Sequence, residues 1–165
     1  MEKFREEIDW SGQKYLMEWN DCVDFESLLN PKNVFGFVFD GSGKLCMVKF
    51  RNKDHWGLPG GGIEENETPE ECLCREVMEE ADLEICEIKR LGYFNVKPLS
   101  DNCERGEHQL LRFVARVKEV KEQTHDPAEG YIPERDFVEP NVFLDRSVWG
   151  EGGKMQLGLA LGVLG

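Results

Sequence analysis

The sequence predicts a mixed α/β (α+β) sandwich, and three observations carry that prediction. Two apolar runs, Asn33–Asp40 and Lys44–Phe50, flank a Gly-rich turn and read as a β-hairpin. Thr68-Pro69 with Glu71 three positions after the threonine opens one strong helix in the middle of the chain. Two more strand-like runs, Ile85–Val96 and His108–Val120, follow that helix, and a weaker helical stretch closes the chain.

Taken in order, residues 1–33 are rich in acids and aromatics. Lys14–Trp19 reads as a strand and Phe25–Leu29 as a short helical turn before Pro31, so this segment is expected to be an extension packed on a single domain of residues 1–165. Gly41-Ser42-Gly43-Lys44 invites comparison with a phosphate loop, but the spacing fails and a strand follows where a helix is required; a hairpin turn is expected. His55–Pro59 is extended, because Leu58 precedes a proline. Residues 97–107 form a polar loop, and 119–141, acidic and carrying Pro127, Pro133 and Pro140, are expected to be irregular. The terminal stretch 153–165 has helical spacing weakened by Gly158 and Gly162, whose interval suits close packing against the sheet.

Composition narrows the partners. The 165 residues are 40% hydrophobic and 32% charged, with a net charge of −13. That surface repels a nucleic-acid duplex or an anionic membrane, and an anionic substrate needs a divalent cation or local Arg and Lys to reverse the field. No targeting segment is visible, and Met155–Gly165 is too short to span a bilayer. The six cysteines include no C-x-x-C pair and read as reduced thiols, which points to the cytoplasm. Cys72-x-Cys74 lacks a nearby histidine for zinc.

The central helix carries the chemistry. At about 100° per residue, Leu73, Cys74, Val77, Met78 and Ala81 fall on one core-facing arc, and Glu76, Glu79 and Glu80 on the adjacent one. Three like charges on one stripe cost a few tenths of a kcal/mol per pair, roughly, in an isolated helix. The bland reading is a solvated acidic face. Arg75, beside Glu76, and the glycines at 60–62 argue for more. Arg75 can hold a carboxylate in place, and positive-φ glycine turns can bring backbone carbonyls close to the same spot. Glutamates, a carbonyl and water make an oxygen-rich site suited to Mg²⁺ or Mn²⁺.

These residues resemble the Nudix box, G-x5-E-x7-R-E-U-x-E-E-x-G-U with U aliphatic. Here it runs Gly61, Glu67, then Arg75-Glu76-Val77-Met78-Glu79-Glu80-Ala81-Asp82-Leu83, with Asp82 where the family has glycine. The lead-in Trp56–Gly61, the hairpin and the closing helix agree with the family's α/β/α sandwich. The resemblance implies metal-dependent hydrolysis of a nucleoside diphosphate linked to another moiety. It makes Glu76, Glu79 and Glu80 metal ligands, with the carbonyl of Gly60 or Gly61 as a further ligand, and it joins Glu67 to Arg75 in a salt bridge that shapes the site. A non-catalytic nucleotide sensor built on the same domain is the alternative. Arg51 and Lys53 either reach phosphate oxygens or are exposed strand-end charges, and Arg112 points either into the cleft or to solvent. Trp56 either stacks a base or packs. A general base from Glu119, Glu122, Asp126, Glu129, Glu134 or Asp136 is left open, as is the identity of the diphosphate. Specificity is expected in residues 97–109 and 119–141. Homodimers are common in the family.

Overall fold

In the computed structural model, which describes residues 3–165, period-two alternation sorts side chains onto the two faces of one sheet. Its strands are β1 (Arg5–Trp10), β2 (Gln13–Asn20), β3 (Pro31–Phe39), β4 (Leu45–Lys49), β5 (Gly60–Gly62), β6 (Leu83–Pro98), β7 (His108–Val120) and β8 (Glu134–Val138). The order is β1-β2-β6-β7-β3-β4-β8, with β5 beside β3. Strands β3 and β7 run parallel and the other pairs antiparallel, so the sheet is mixed.

Helix α1 (Pro69–Ala81) covers one face, and α2 (Val142–Arg146) and α3 (Gly150–Leu164) cover the other. On the α1 face Val34 and Val38 pack with Leu73, Val77, Ala81, Leu111 and Phe113. The intervening residues Phe37 and Phe39 take the opposite face with Phe143, Leu157 and Ala160. Gly36 allows α1 to come close, since a Cβ there would lie 2.8 Å from Leu73 Cδ1. The result is the expected sandwich, with one apolar cluster on each side of the sheet.

Several elements differ from expectation. Strand β1 extends the sheet at its edge, where every residue but one is exposed, so it carries no apolar alternation to betray it. Strand β8 lies in the segment expected to be irregular and pairs with β4, Cys46 opposite Phe137. On α1 the buried arc is Cys72, Leu73, Val77, Glu80 and Ala81; Cys74 is exposed and Met78 half-buried, so the core-facing arc is rotated from the one expected. Gly158 and Gly162 face open space, so close packing does not explain them. The tightly packed glycines of α3 are Gly152, against Phe4, and Gly153, against Phe143 and Trp149. The Gly41–Lys44 segment is a turn, in which Asp40 accepts from the N–H groups of Ser42 and Lys44. Among the described residues, no helix is long and apolar enough to cross a membrane.

Helix α1 begins as its sequence dictates. Thr68 accepts from Glu71 N–H, and the Glu71 carboxylate accepts from Thr68 N–H. It ends on Asp82 in the left-handed region, φ 51° and ψ 46°, whose N–H donates to Met78. Aspartate visits that region more readily than most residues, which lets it stand at a position that favours glycine.

Candidate active site

The glycines after Pro59 are strand rather than loop, and none of Gly60, Gly61 and Gly62 has positive φ. Their role is to leave space. A Cβ on Gly60 would lie 2.1 Å from the Val34 carbonyl oxygen, and one on Gly61 would lie 2.4 Å from the Glu76 carboxyl carbon. Strand β5 thus packs bare backbone against β3 on one side and against a helix carboxylate on the other.

Arg75 organises the acids. Its Nε donates to Glu67 at 2.7 Å and its Nη2 to the other Glu67 oxygen at 3.0 Å, a two-point pair. Its Nη1 donates to Glu76 at 2.9 Å and to Glu79 at 3.3 Å, and Nη2 also reaches the Gly62 carbonyl. This guanidinium holds the Glu67 carboxyl down at about 2. Glu80 has no such partner. It is 7% exposed and accepts one hydrogen bond, from Gly60 N–H at 3.1 Å. Burial pushes its pKa up to about 9 against the pull of that N–H, with Glu76 and Asp126 adding repulsion. Burial also raises Glu76, against the pull of Arg75.

A cavity of about 430 Å³ lies over these groups and is lined also by Asp126–Glu129. Of the six acids that the sequence left equivalent, Asp126 and Glu129 line it. Asp126 is buried, and its Oδ1 accepts from the N–H groups of Ala128 and Glu129. Nothing in the Pro- and acid-rich composition of 119–141 distinguishes Asp126; the signal is the turn it caps.

Asp82 ties this segment to the end of α1. Its carboxylate accepts from Thr124 N–H and Oγ1, both at 2.8 Å, and its carbonyl accepts from Lys121 N–H. Asp82→Gly restores an easy left-handed residue but removes two hydrogen bonds worth about 1 kcal/mol each. The expected outcome is faster amide exchange across residues 121–130, with α1 unchanged; equal protection in both proteins would refute the tether.

The donor set fits a hard divalent cation. Six carboxylates border one cavity beside backbone carbonyls, among them Glu76, Glu79, Glu80 and Asp126, and the bare Gly61 keeps a side chain out of it. Among the described residues no acids, histidines or cysteines stand already converged as a chelating group. Arg75 draws Glu76 and Glu79 toward itself and Glu80 turns to Gly60, so holding a cation requires these carboxylates to rotate toward one another.

The other expected binding residues lie elsewhere. Arg51 stacks on Tyr131, 4.4 Å from the ring centroid, and Lys53 is exposed; neither lines the carboxylate cavity. Arg112 points neither to that cavity nor to solvent. It is 4% exposed and lies on the opposite face of the sheet among aromatic rings. Trp56 is half-buried under Arg146, 5.0 Å from its guanidinium.

The NUDIX domain model matches residues 29–155. An RNA pyrophosphohydrolase of Hydrogenovibrio crunogenus is 40% identical over 60 residues, 36% of this chain and 36% of that protein. One from Stutzerimonas stutzeri is 45% identical over 60 residues, 36% of this chain and 38% of that protein. The chain therefore spans little more than a third of the length of these curated relatives. Among solved structures, a point mutant of the Bacillus subtilis pyrophosphohydrolase BsRppH superposes with a TM-score of 0.63 at 22% identity, covering 82% of this chain and 77% of that one. A Caenorhabditis elegans Ap4A hydrolase superposes with a TM-score of 0.56 at 16% identity, covering 83% and 100%. At these identities the likeness is one of fold.

Proposed function

The chain belongs to the Nudix family, and from that premise we propose that it is a diphosphohydrolase dependent on Mg²⁺ or Mn²⁺. Its substrate in this reading is a small nucleoside diphosphate linked to a second moiety. The observation that carries the reading is the carboxylate cavity: three helix glutamates and Asp126 around a side-chain-free glycine strand, with Arg75 fixing the rim. Curated relatives that match over 60 residues are named RNA pyrophosphohydrolase, which supports the reaction class. The net charge of −13 favours a small anion over a polyanion as substrate. Six unpaired cysteines support a reducing, cytoplasmic setting.

Glu76, Glu79 and Glu80 would hold the cation, with the Gly60 or Gly61 carbonyl beside them. A bound Mg²⁺ or Mn²⁺ supplies charge neutralisation to the diphosphate and acidifies coordinated water. Arg75 keeps Glu67, Glu76 and Glu79 from splaying into solvent. In this reading Asp126, which lines the cavity and is held through Oδ1, accepts the proton of the attacking water. Water then adds to one phosphorus as the bridging P–O bond breaks, yielding a nucleoside monophosphate and a phosphorylated second product. A panel of nucleoside diphosphate derivatives with Mg²⁺ or Mn²⁺, read by released monophosphate, tests the reading. Tight nucleotide binding with no turnover on any member would replace it with the sensor reading.

Glu80 makes metal and pH interdependent. Its ordinary pKa is 4.5 and its folded value about 9, so between these the native metal-free protein keeps a proton that the unfolded chain has lost. Stability from this group is complete below about 4.5 and is lost as pH rises toward 9. Thermal unfolding of metal-free protein should show Tm falling from pH 5 to pH 9. Saturating Mg²⁺ should flatten that slope and release protons into weakly buffered solution. A metal-free Tm that rises with pH over this range would exclude the assignment.

A further inference from the structure

On the face of the sheet opposite α1, a cavity of about 400 Å³ lies between β1, β2, β3, β6, β7 and the start of α3, with Arg105 also on its wall. At its base is Arg112, buried, with its guanidinium carbon 4.9 Å from the Trp149 ring centroid, 5.2 Å from Phe35 and 5.7 Å from Phe94. Its Nε donates to Gln156 at 2.8 Å and its Nη1 to the Leu111 carbonyl at 3.1 Å. Both acceptors are neutral. No acid pairs with Arg112 among the described residues, although Glu6 also lines the cavity, and burial alone lowers its pKa to about 9. Nη2 and the second hydrogen of Nη1 have no partner among the described residues.

A buried cation without a counter-charge is expensive unless something else completes its hydrogen bonds. A second sign of incompleteness lies beside it. Among the described residues, the buried side-chain polar atoms without a hydrogen-bond partner are Asn33 Oδ1 and His108 Nε2. Asn33 lines the Arg112 cavity, and both residues line an adjoining cavity of about 420 Å³. His108 Nδ1 is already engaged with the Gly106 carbonyl at 2.8 Å, which leaves Nε2 as the ring's unused polar atom. The free groups are therefore one paired donor edge and two acceptor-capable atoms, set among aromatic faces.

The β3–β5 pairing connects this cavity to the carboxylates. Gly60 is paired with Phe35 and Gly62 with Asn33. Phe35 and Asn33 line the Arg112 cavity, whereas Gly60 and Gly61 line the carboxylate cavity. A substrate with its base in one cavity and its diphosphate in the other would pass over this glycine strand.

We propose that the Arg112 cavity receives the base of the substrate and selects a 6-oxopurine, reading its O6 and N7 acceptors with Nη1 and Nη2. This rests on the diphosphohydrolase reading and names the substrate class of that site. Guanine or hypoxanthine offers two adjacent acceptors to a guanidinium edge, whereas adenine places an amino donor there, donor against donor. The N1–H edge of the same base is a donor suited to Asn33 Oδ1 once that buried amide rotates into the cavity. A bare phosphate is a poorer fit, because three aromatic rings strip its hydration and replace none of it.

The test is equilibrium binding of guanosine, inosine and adenosine 5′-monophosphates to the whole protein by calorimetry, with inorganic phosphate as competitor. The wild type should prefer GMP and IMP over AMP by about 10-fold. Arg112→Met keeps the bulk and the aromatic packing and should erase the preference; Asn33→Ala should narrow it and serves if the first variant does not fold. Equal affinity for AMP, or displacement of GMP by equimolar phosphate, would overturn the proposal. The hydrolytic reading fails separately: a protein that cleaves diphosphates without base preference loses only this inference, and one that prefers GMP without turnover loses only the chemistry.

Discussion

Glu79→Gln should lower kcat on a nucleoside diphosphate substrate about 10³-fold, the equivalent of several kcal/mol of lost charge stabilisation. The fold should survive. Glu79 is 26% exposed and has one charged contact, 3.3 Å from Arg75, so a near-isosteric amide leaves the packing of α1 intact. Arg75 still has Glu67 and Glu76. Stability should stay within about 0.5 kcal/mol of wild type, as for surface substitutions away from packed features. Glu80→Gln should be equally inactive but differ in its pH behaviour. The metal-free wild type carries a protonated Glu80 at neutral pH, and the amide imitates that form permanently. The variant should therefore keep its Tm as pH rises toward 9 while the wild type loses stability. Turnover in either variant close to wild type would remove these glutamates from the reaction, and a parallel fall of Tm with pH would remove Glu80 from the buried position assigned to it.

How much of this was legible beforehand differs from residue to residue. Helix α1 and its start were readable because Thr68, Pro69 and Glu71 act locally, within one turn. The hairpin was readable because β3 alternates between two buried faces. Strand β8 was not: its five residues include two acids and an arginine, and its place in the sheet comes from β4, far away in sequence. Arg112 was visible as an anomaly, a charge inside an apolar strand, but which cavity it enters depends on strand parity and on α3. Asp126 has only the local signal of the turn it caps; the tether from Asp82 to Thr124 that joins its segment to the end of α1 follows no spacing rule. Local chemistry can be read along the chain; partners supplied by the sheet cannot.

The glycine strand is glycine for space rather than for backbone freedom, and that supports a paired expectation. Positive-φ freedom would make Gly60 and Gly61 equally intolerant of a side chain; neither has positive φ, so only space separates them. At Gly61 the obstacle is the Glu76 carboxyl, the far end of a flexible side chain. Gly61→Ala should push Glu76 aside at a cost of about 1 kcal/mol in stability, the low end for overpacking. Activity should fall about 10²-fold, since the group displaced lines the cavity proposed to react. Mn²⁺ affinity should weaken in parallel. At Gly60 the obstacle is backbone, the Val34 carbonyl 2.1 Å away and Phe35 Cα at 2.8 Å, and neither can rotate clear. Gly60→Ala must part β5 from β3, costing about 3 kcal/mol, and it should appear first as a lowered urea midpoint. If Gly60→Ala unfolds with Gly61→Ala, the obstacle at both positions is conformational and the space argument fails. If the two separate, with stability lost at 60 and activity at 61, one short strand is holding the sheet with one residue and clearing the catalytic cavity with the next.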